Sequence, residues 1–209
     1  MKIIGLTGGI ASGKSTVATE LRKQNIPVFD ADEVSRNAVA KGSKGLAMVA
    51  EAFGAEYLTS EGEMDRAKIS QLVFSNKEAL KTLEGILHKI VWDEAEAFMA
   101  QAKEANAKLA VLDVPLLIEC KWHERVDCVW LVAVSKEQQI KRAMLRSGMT
   151  EDEVKARIAA QMSLEDKKKE QKSDNSSQDR ANLDQSLEQK NQNRVNNPYA
   201  LNYDYSIRT

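Results

Sequence analysis

The feature that most constrains this chain is the stretch IIGLTGGIASGKSTV at residues 3–17. Its apolar start predicts a buried strand, and a helical pattern begins after Gly13. Between them, Gly8 to Ser15 match the pattern G-x-x-x-x-G-K-[ST], in which loop and helix-start N–H groups surround a phosphate. The alternative is a glycine-rich turn that binds nothing, but strand, loop and helix all follow in the required order. We therefore predict a phosphate loop that binds a nucleoside triphosphate.

The motif also assigns chemistry to its polar residues. Lys14 is expected to reach the β- and γ-phosphates, and the Ser15 hydroxyl to ligate Mg²⁺. The other positions predicted to contact the nucleotide are those of the loop and helix start: Gly8, Gly9, Ala11, Ser12, Gly13 and Thr16.

Composition narrows the class of protein. The chain has 209 residues, 43% of them hydrophobic and 29% charged, which suits one soluble α/β domain with an inserted subdomain. A net charge of −1 gives no overall attraction to nucleic acid or an anionic membrane, and no apolar run could span a bilayer. Cys120 and Cys128 are expected to be reduced. We predict a cytoplasmic monomer or weak homo-oligomer that acts on small molecules.

Hydrophobic patterning predicts the order of the elements. Apolar runs at 28–30, 109–115 and 127–134 read as strands, and helical patterns separate them. This alternation is typical of a doubly wound parallel sheet. Residues 43–104 form a helical insertion, in which the Leu80–Val91 stripe is the strongest.

The last third of the chain begins with two predicted helices. They cover 136–146 and 151–163, and Thr150 with Glu153 predicts a capping box at the start of the second. After Leu164 the composition becomes strongly polar. We expect a poorly packed tail over 165–197, with one helix at 180–192.

Carboxylates follow the predicted strands. Asp32 comes just after the second strand, where open α/β sheets bind their ligands, and it could orient an acceptor hydroxyl and take its proton. Asp30 is the weaker candidate, and either aspartate could instead be a turn or N-cap residue. Asp113 ends the third strand and could hold a magnesium-bound water or serve a structural role; both readings stay open.

Basic residues on the later helices complete the candidate site. Arg142 and Arg146 lie four residues apart on one helix face, where they could stabilise the charge of a transferring phosphoryl group. Arg157 and Gln161 could face the same site; a solvated charged helix is the alternative. A GTPase would need an Asn-Lys-x-Asp guanine reader, which the sequence lacks. The combination favours a small-molecule kinase.

The ordered set of motifs resembles the dephospho-CoA kinase family. The similarity covers about residues 2–168. The matching segments are GLTGGIASGKST at 5–16, DADEVSR at 30–36, MDR at 64–66, ILH at 86–88, VPLLIE at 114–119, and the Arg142, Arg146, Arg157 and Gln161 pattern.

The resemblance implies ATP- and Mg²⁺-dependent phosphorylation of the ribose 3′-hydroxyl of dephospho-CoA, on five parallel strands of the nucleoside-monophosphate-kinase type. It implies that Asp32, Lys14 and Arg142 are catalytic and that Arg146 and Asn175 add nucleotide contacts. The residues that it implies for the acceptor site are Thr7, Asp32, Arg36, Arg66, His88, Pro115 and Leu116. For His88, which lies next to the apolar stripe of its helix, a structural role is the alternative.

The resemblance also divides the chain. Residues 1–168 form the kinase-like domain, with a core at 1–42 and 105–135, a CoA-binding insertion at 43–104 and a lid at 136–163. Residues 169–209 form the polar tail, where EQKSDN at 170–175 replaces the family's apolar fifth strand. Ala11 stands at a common glycine position, a mild change by size, and Lys89 at a proline position. The alternatives are a kinase for another small alcohol, such as a nucleoside monophosphate, and a nucleotide-binding regulatory module.

Overall fold

The computed structural model describes residues 1–170. Over that range the chain forms four strands and eight α-helices. In chain order these are β1 (Lys2–Gly8), α1 (Lys14–Lys23), β2 (Val28–Asp30), α2 (Ala31–Ala38), α3 (Lys44–Phe53), α4 (Arg66–Ser75), α5 (Lys77–Glu104), β3 (Leu109–Asp113), β4 (Cys128–Val132), α6 (Lys136–Ser147), α7 (Glu151–Ala159) and α8 (Leu164–Lys169). Within this range no helix is long and apolar enough to cross a membrane.

The four strands form a parallel sheet in the order β2-β3-β1-β4. β1 pairs with β4 in the register Ile4 to Cys128, and β2 pairs with β3 in the register Val28 to Val111. Parallel neighbours need helical crossovers, which explains the strand–helix alternation of the sequence. The predicted parallel α/β class is confirmed. The expected fifth strand falls at 170–175, and all but its first residue lie outside the described range.

The chain divides into two compact units, one of which consists mainly of Pro27–Val114. Its centre is the long helix α5, against which α2, α3 and α4 pack. Val39, Val49 and Ile69 form a buried cluster, and the predicted α5 stripe contributes Leu83 and Ile86 to it. Phe29 and Phe98 also meet, with ring centroids 5.6 Å apart. The aromatic residue of β2 is therefore a packing residue.

The second unit consists of Lys2–Ile26 and the chain from Pro115 onward. Its core contains Leu6 of β1 and Val129 of β4, both almost fully buried. The start of β1 is tied to the approach to β4, because the Ile3 N–H donates to Asp127 Oδ2 at 2.6 Å. The apolar runs that predicted β1 and β4 therefore form buried strands in the core of this unit.

Helix α8 lies, except for Leu164, in the segment that composition predicts to be poorly packed, and that prediction is wrong at Lys167, which is the buried residue of this helix. Ser163 caps the helix by accepting from the Asp166 N–H at 3.1 Å. Lys167 is only 1% exposed, and its Nζ lies 2.8 Å from Glu119 Oε1. Composition treats lysine as a surface residue, whereas an ion pair permits its burial. The predicted helix at 180–192 lies outside the described residues.

Candidate active site

The phosphate loop occupies Gly9–Gly13, between β1 and α1, as predicted. Gly13 is the N-cap of α1 with φ 98°, a left-handed conformation that glycine adopts without strain. Because glycine has no side chain, no side-chain cap competes for the N–H groups of the first helical turn. The loop closes through the Ser12 N–H, which donates to the Gly9 carbonyl at 3.2 Å. This arrangement presents the positive end of a helix to an anion.

Two further loop positions depend on backbone geometry. A Cβ at Gly8 would lie 2.6 Å from Ser12 Oγ and 2.7 Å from the Val132 carbonyl oxygen, so only glycine fits there. Ala11 has φ 54°, in the left-handed region, which costs a residue with a Cβ about 1 kcal/mol. Size alone suggested that alanine is a mild change from the family's glycine. The positive φ gives a different reason for a glycine at that position, because glycine adopts this conformation without strain.

A pair of identical substitutions tests the Gly8 geometry. Gly8→Ala should cost about 1–3 kcal/mol of unfolding free energy, because the Val132 carbonyl belongs to β4 and cannot move aside. Gly85→Ala is the matched control: Gly85 lies inside α5 with open space around it, and alanine should stabilise the helix by about 0.5–1 kcal/mol. Urea unfolding measures both. Equal effects of the two changes would contradict the close approach at Gly8.

Side chains of the later helices contact the loop directly. Gln139 Nε2 on α6 donates to the Ile10 carbonyl oxygen at 3.0 Å, and Gln161 Oε1 accepts from the Ile10 N–H at 3.1 Å. Arg142 Nη1 donates to the Ser12 carbonyl oxygen at 3.5 Å. The predicted side chains Arg142 and Gln161 therefore both reach the phosphate loop. Gln139 was not predicted, although it lies three residues before Arg142, on the same face of α6.

The other residues of these helices are arranged differently. The side chains of Arg146 and Arg157 are exposed to solvent. Their contact with a nucleotide stays a prediction. The predicted capping box of α7 is confirmed: the Thr150 N–H donates to Glu153 Oε2 at 2.8 Å, and the Glu153 N–H donates to Thr150 Oγ1. The backbone N–H and the hydroxyl of Thr150 both hold the pKa of the Glu153 carboxyl below its usual value.

The carboxylates at the ends of β2 and β3 and at the start of α2 have different environments. Asp30 is the N-cap of α2, since its Oδ1 accepts from the Glu33 N–H at 3.0 Å. Asp32 lies in the first turn of α2 and is exposed, so the N-cap reading applies to Asp30 and not to Asp32. Asp113 is 2% exposed and lies opposite Asp30 in the β2–β3 register.

Two of the residues implied for the acceptor site come together. The Thr7 side chain is fully buried, and its hydroxyl donates to the Pro115 carbonyl oxygen at 2.9 Å. Leu116, the next residue, is 43% exposed. The remaining acceptor positions, Arg36, Arg66 and His88, are exposed on three different helices. Their contacts with a substrate stay predictions.

The residues present fit a magnesium ion that binds together with a nucleotide. Ser15, the predicted ligand, is exposed in the first turn of α1. Mg²⁺ commonly takes one or two protein ligands and completes its shell with phosphate oxygens and water. Within residues 1–170 no group of three or more His, Cys, Asp or Glu side chains could hold a metal ion by itself.

Comparison with known proteins shows the family to which the chain belongs. Residues 2–180 match the family model for dephospho-CoA kinase. A dephospho-CoA kinase of Bdellovibrio bacteriovorus is 45% identical over 168 residues, which is 80% of this chain and 83% of that relative. A crystal structure of a Thermus thermophilus protein aligns with TM-score 0.71 and 34% identity, covering 92% of this chain and 97% of the other. Dephospho-CoA kinase from Campylobacter jejuni aligns with TM-score 0.62 and 26% identity, covering 91% and 100%.

Proposed function

The chain belongs to the dephospho-CoA kinase family, which carries out the last step of coenzyme A biosynthesis, and from this premise we propose how its residues perform the reaction. The substrate is dephospho-CoA and the reaction is phosphoryl transfer. The proposal is that ATP donates the phosphoryl group to the ribose 3′-hydroxyl in an in-line displacement. Its chief support is the phosphate loop, in which Gly13 is the N-cap residue of α1 and the Ser12 carbonyl oxygen accepts a hydrogen bond from Arg142.

At the nucleotide end, the loop amides and Lys14 hold the β- and γ-phosphates. Mg²⁺, when bound, neutralises charge on these phosphates, and Ser15 would hold it. Arg142 stabilises the charge that spreads over the transferring group, consistent with its contact at Ser12. The further residues that we propose at the nucleotide are Gly8, Gly9, Ala11, Ser12, Gly13, Thr16 and Arg146. Asn175, proposed for the adenine, lies outside the described residues.

At the acceptor end, Asp32 orients the 3′-hydroxyl and takes its proton late in the transfer. The exposed carboxylate is accessible to such a substrate. We assign acceptor binding to the helical segment 43–104 and the lid to 136–163. Residues in contact with dephospho-CoA would be Arg36, Arg66, His88, Pro115 and Leu116. Thr7, whose side chain is fully buried, would support this site through its hydrogen bond to the Pro115 carbonyl oxygen.

We further propose a cytoplasmic enzyme that is a monomer or weak homo-oligomer and acts on small molecules alone. A net charge of −1 supports this, because it provides no general attraction for nucleic acid.

A coupled assay of ADP release tests the proposal on the full chain, with ATP, Mg²⁺ and dephospho-CoA. Release should depend on dephospho-CoA and not on a nucleoside monophosphate offered in its place. Lys14→Ala should lower kcat/KM about 10²-fold or more, because it removes a charge aimed at the transferred phosphate. Unchanged kinetics in that variant would contradict the phosphate-loop assignment. Stabilisation by ATP without ADP release would favour a regulatory module.

A further inference from the structure

Ile10 is the one residue between Gly8 and Thr16 that motif and resemblance leave without a role. Its two backbone polar groups are both occupied by side chains distant in sequence. Gln161 accepts from its N–H, and Gln139 donates to its carbonyl. The Ile10 backbone is therefore held from both directions by two side-chain amides.

The fit of Gln139 depends on the neighbouring glycine. A Cβ at Gly9 would overlap Nε2 of Gln139 and would lie 4.0 Å from Gln161 Oε1. Both glutamines are half-buried, and with Gly9 they line a cavity of about 60 Å³ beside the loop. Amide hydrogen bonds shielded from water are costly to lose, since a buried donor or acceptor is then left unsatisfied. The two hydrogen bonds from the glutamines to Ile10 therefore hold the loop in one conformation.

The hydrogen bond from Gln139 to Ile10 also affects the position of Arg142. Gln139 and Arg142 lie three residues apart on α6, and both donate to loop carbonyls, at Ile10 and at Ser12. Because α6 is a continuous helix, the bond from Gln139 fixes the register of Arg142 against the loop. Gln161 holds the loop from the turn that follows α7.

We propose that Gln139 and Gln161 are positioning residues, which together form a clamp on Ile10 that sets both the shape of the phosphate loop and the position of Arg142. This inference rests on the proposed function, since it refines the same nucleotide site. Gln139 must donate, because it faces a carbonyl oxygen, and Gln161 must accept, because it faces an N–H. The two ends of the clamp therefore have opposite requirements.

That polarity gives a matched pair of variants, Gln139→Glu and Gln161→Glu. Both substitutions add the same charge at nearly the same size, and both positions line the cavity that Lys167 also lines. Any general effect of the added charge on ATP or on the Lys167 ammonium is therefore shared. A glutamate at position 161 can still accept from Ile10, whereas an ionised glutamate at 139 repels the Ile10 carbonyl. We expect kcat/KM for ATP to fall about 10- to 100-fold further in Gln139→Glu than in Gln161→Glu.

Dependence on pH provides a signature that a merely structural role would not give. A protonated glutamate at 139 can donate to the Ile10 carbonyl oxygen, and facing that oxygen raises the pKa of the introduced carboxyl above its ordinary value of about 4.3. The activity of Gln139→Glu relative to wild type should therefore rise as the pH is lowered from 8 to 6. The ratio for Gln161→Glu should not rise in this way. If the two Glu variants behave alike at every pH, the clamp is overturned.

Two further measurements separate the possible failures. Gln139→Met keeps the length of the side chain and removes the donor without adding charge; it should show the loss but no recovery at low pH. If Gln139→Glu does not fold, wild-type kinetics in Gln139→Met would overturn the clamp. If wild type releases no ADP with dephospho-CoA, the proposed function fails. The clamp is then judged by ATP affinity from thermal shift, and equal affinities of wild type, Gln139→Met and both Glu variants would overturn it.

Discussion

Replacing Asp32 by asparagine is expected to abolish most phosphoryl transfer while leaving nucleotide binding in place. Asparagine has nearly the same size, but it cannot accept the proton of the acceptor hydroxyl. A positioned general base contributes about 10²–10⁴-fold, so kcat should fall by that factor. ATP affinity should change about twofold at most, because Asp32 belongs to α2 and lies outside the phosphate loop. Steady-state ADP release and an ATP thermal shift provide the two measurements.

Asp30→Asn is the matched control for this prediction. Asp30 serves as the N-cap of α2 through its Oδ1, and asparagine is an equally good N-cap residue. This variant should therefore keep its turnover and its stability. Full activity in Asp32→Asn would remove the catalytic role from that residue. A large loss of turnover in Asp30→Asn instead would show that the wrong carboxylate of the pair was chosen.

Features with local signals could be predicted from the sequence. The apolar run at Ile3–Thr7, the two loop glycines and the Lys-Ser pair specify strand, loop and helix within a few residues of one another. The capping box at Thr150 is equally local, and the structure has it as predicted. Hydrophobic runs also predicted β2, β3 and β4, because buried parallel strands are continuously apolar.

Features made by distant residues could not be predicted in the same way. The Gln139–Ile10 bond joins residues 129 positions apart, and in the sequence Gln139 does not differ in type from a surface residue. The left-handed conformation of Ala11 was missed because the position was judged by side-chain size. The Asp-Ala-Asp segment offered two candidates for one N-cap, and only the geometry assigned that role to Asp30.

The buried ion pair of α8 is the clearest example of a contact that composition conceals. Both carboxylate oxygens of Glu119 are buried. Lys167 Nζ, 2.8 Å from Oε1, balances the charge. Desolvating the two charges offsets much of their attraction, so the pair adds little net stability of its own. Breaking it has a different consequence, because the remaining charge stays buried.

Lys167→Met is therefore expected to lower the unfolding free energy by about 3–5 kcal/mol, since it leaves the Glu119 carboxylate buried and unpaired. The double variant Lys167→Met/Glu119→Leu should regain most of this loss, because an apolar pair of similar volume carries no desolvation cost. Urea unfolding of the full chain gives these differences.

Lys169→Met on the same helix is the control: Lys169 is 74% exposed and pairs with a half-exposed Asp166, so the unfolding midpoint should barely move. If Lys167→Met behaved like Lys169→Met, or if the double variant were no more stable than the single one, burial of the charge would not be the cause.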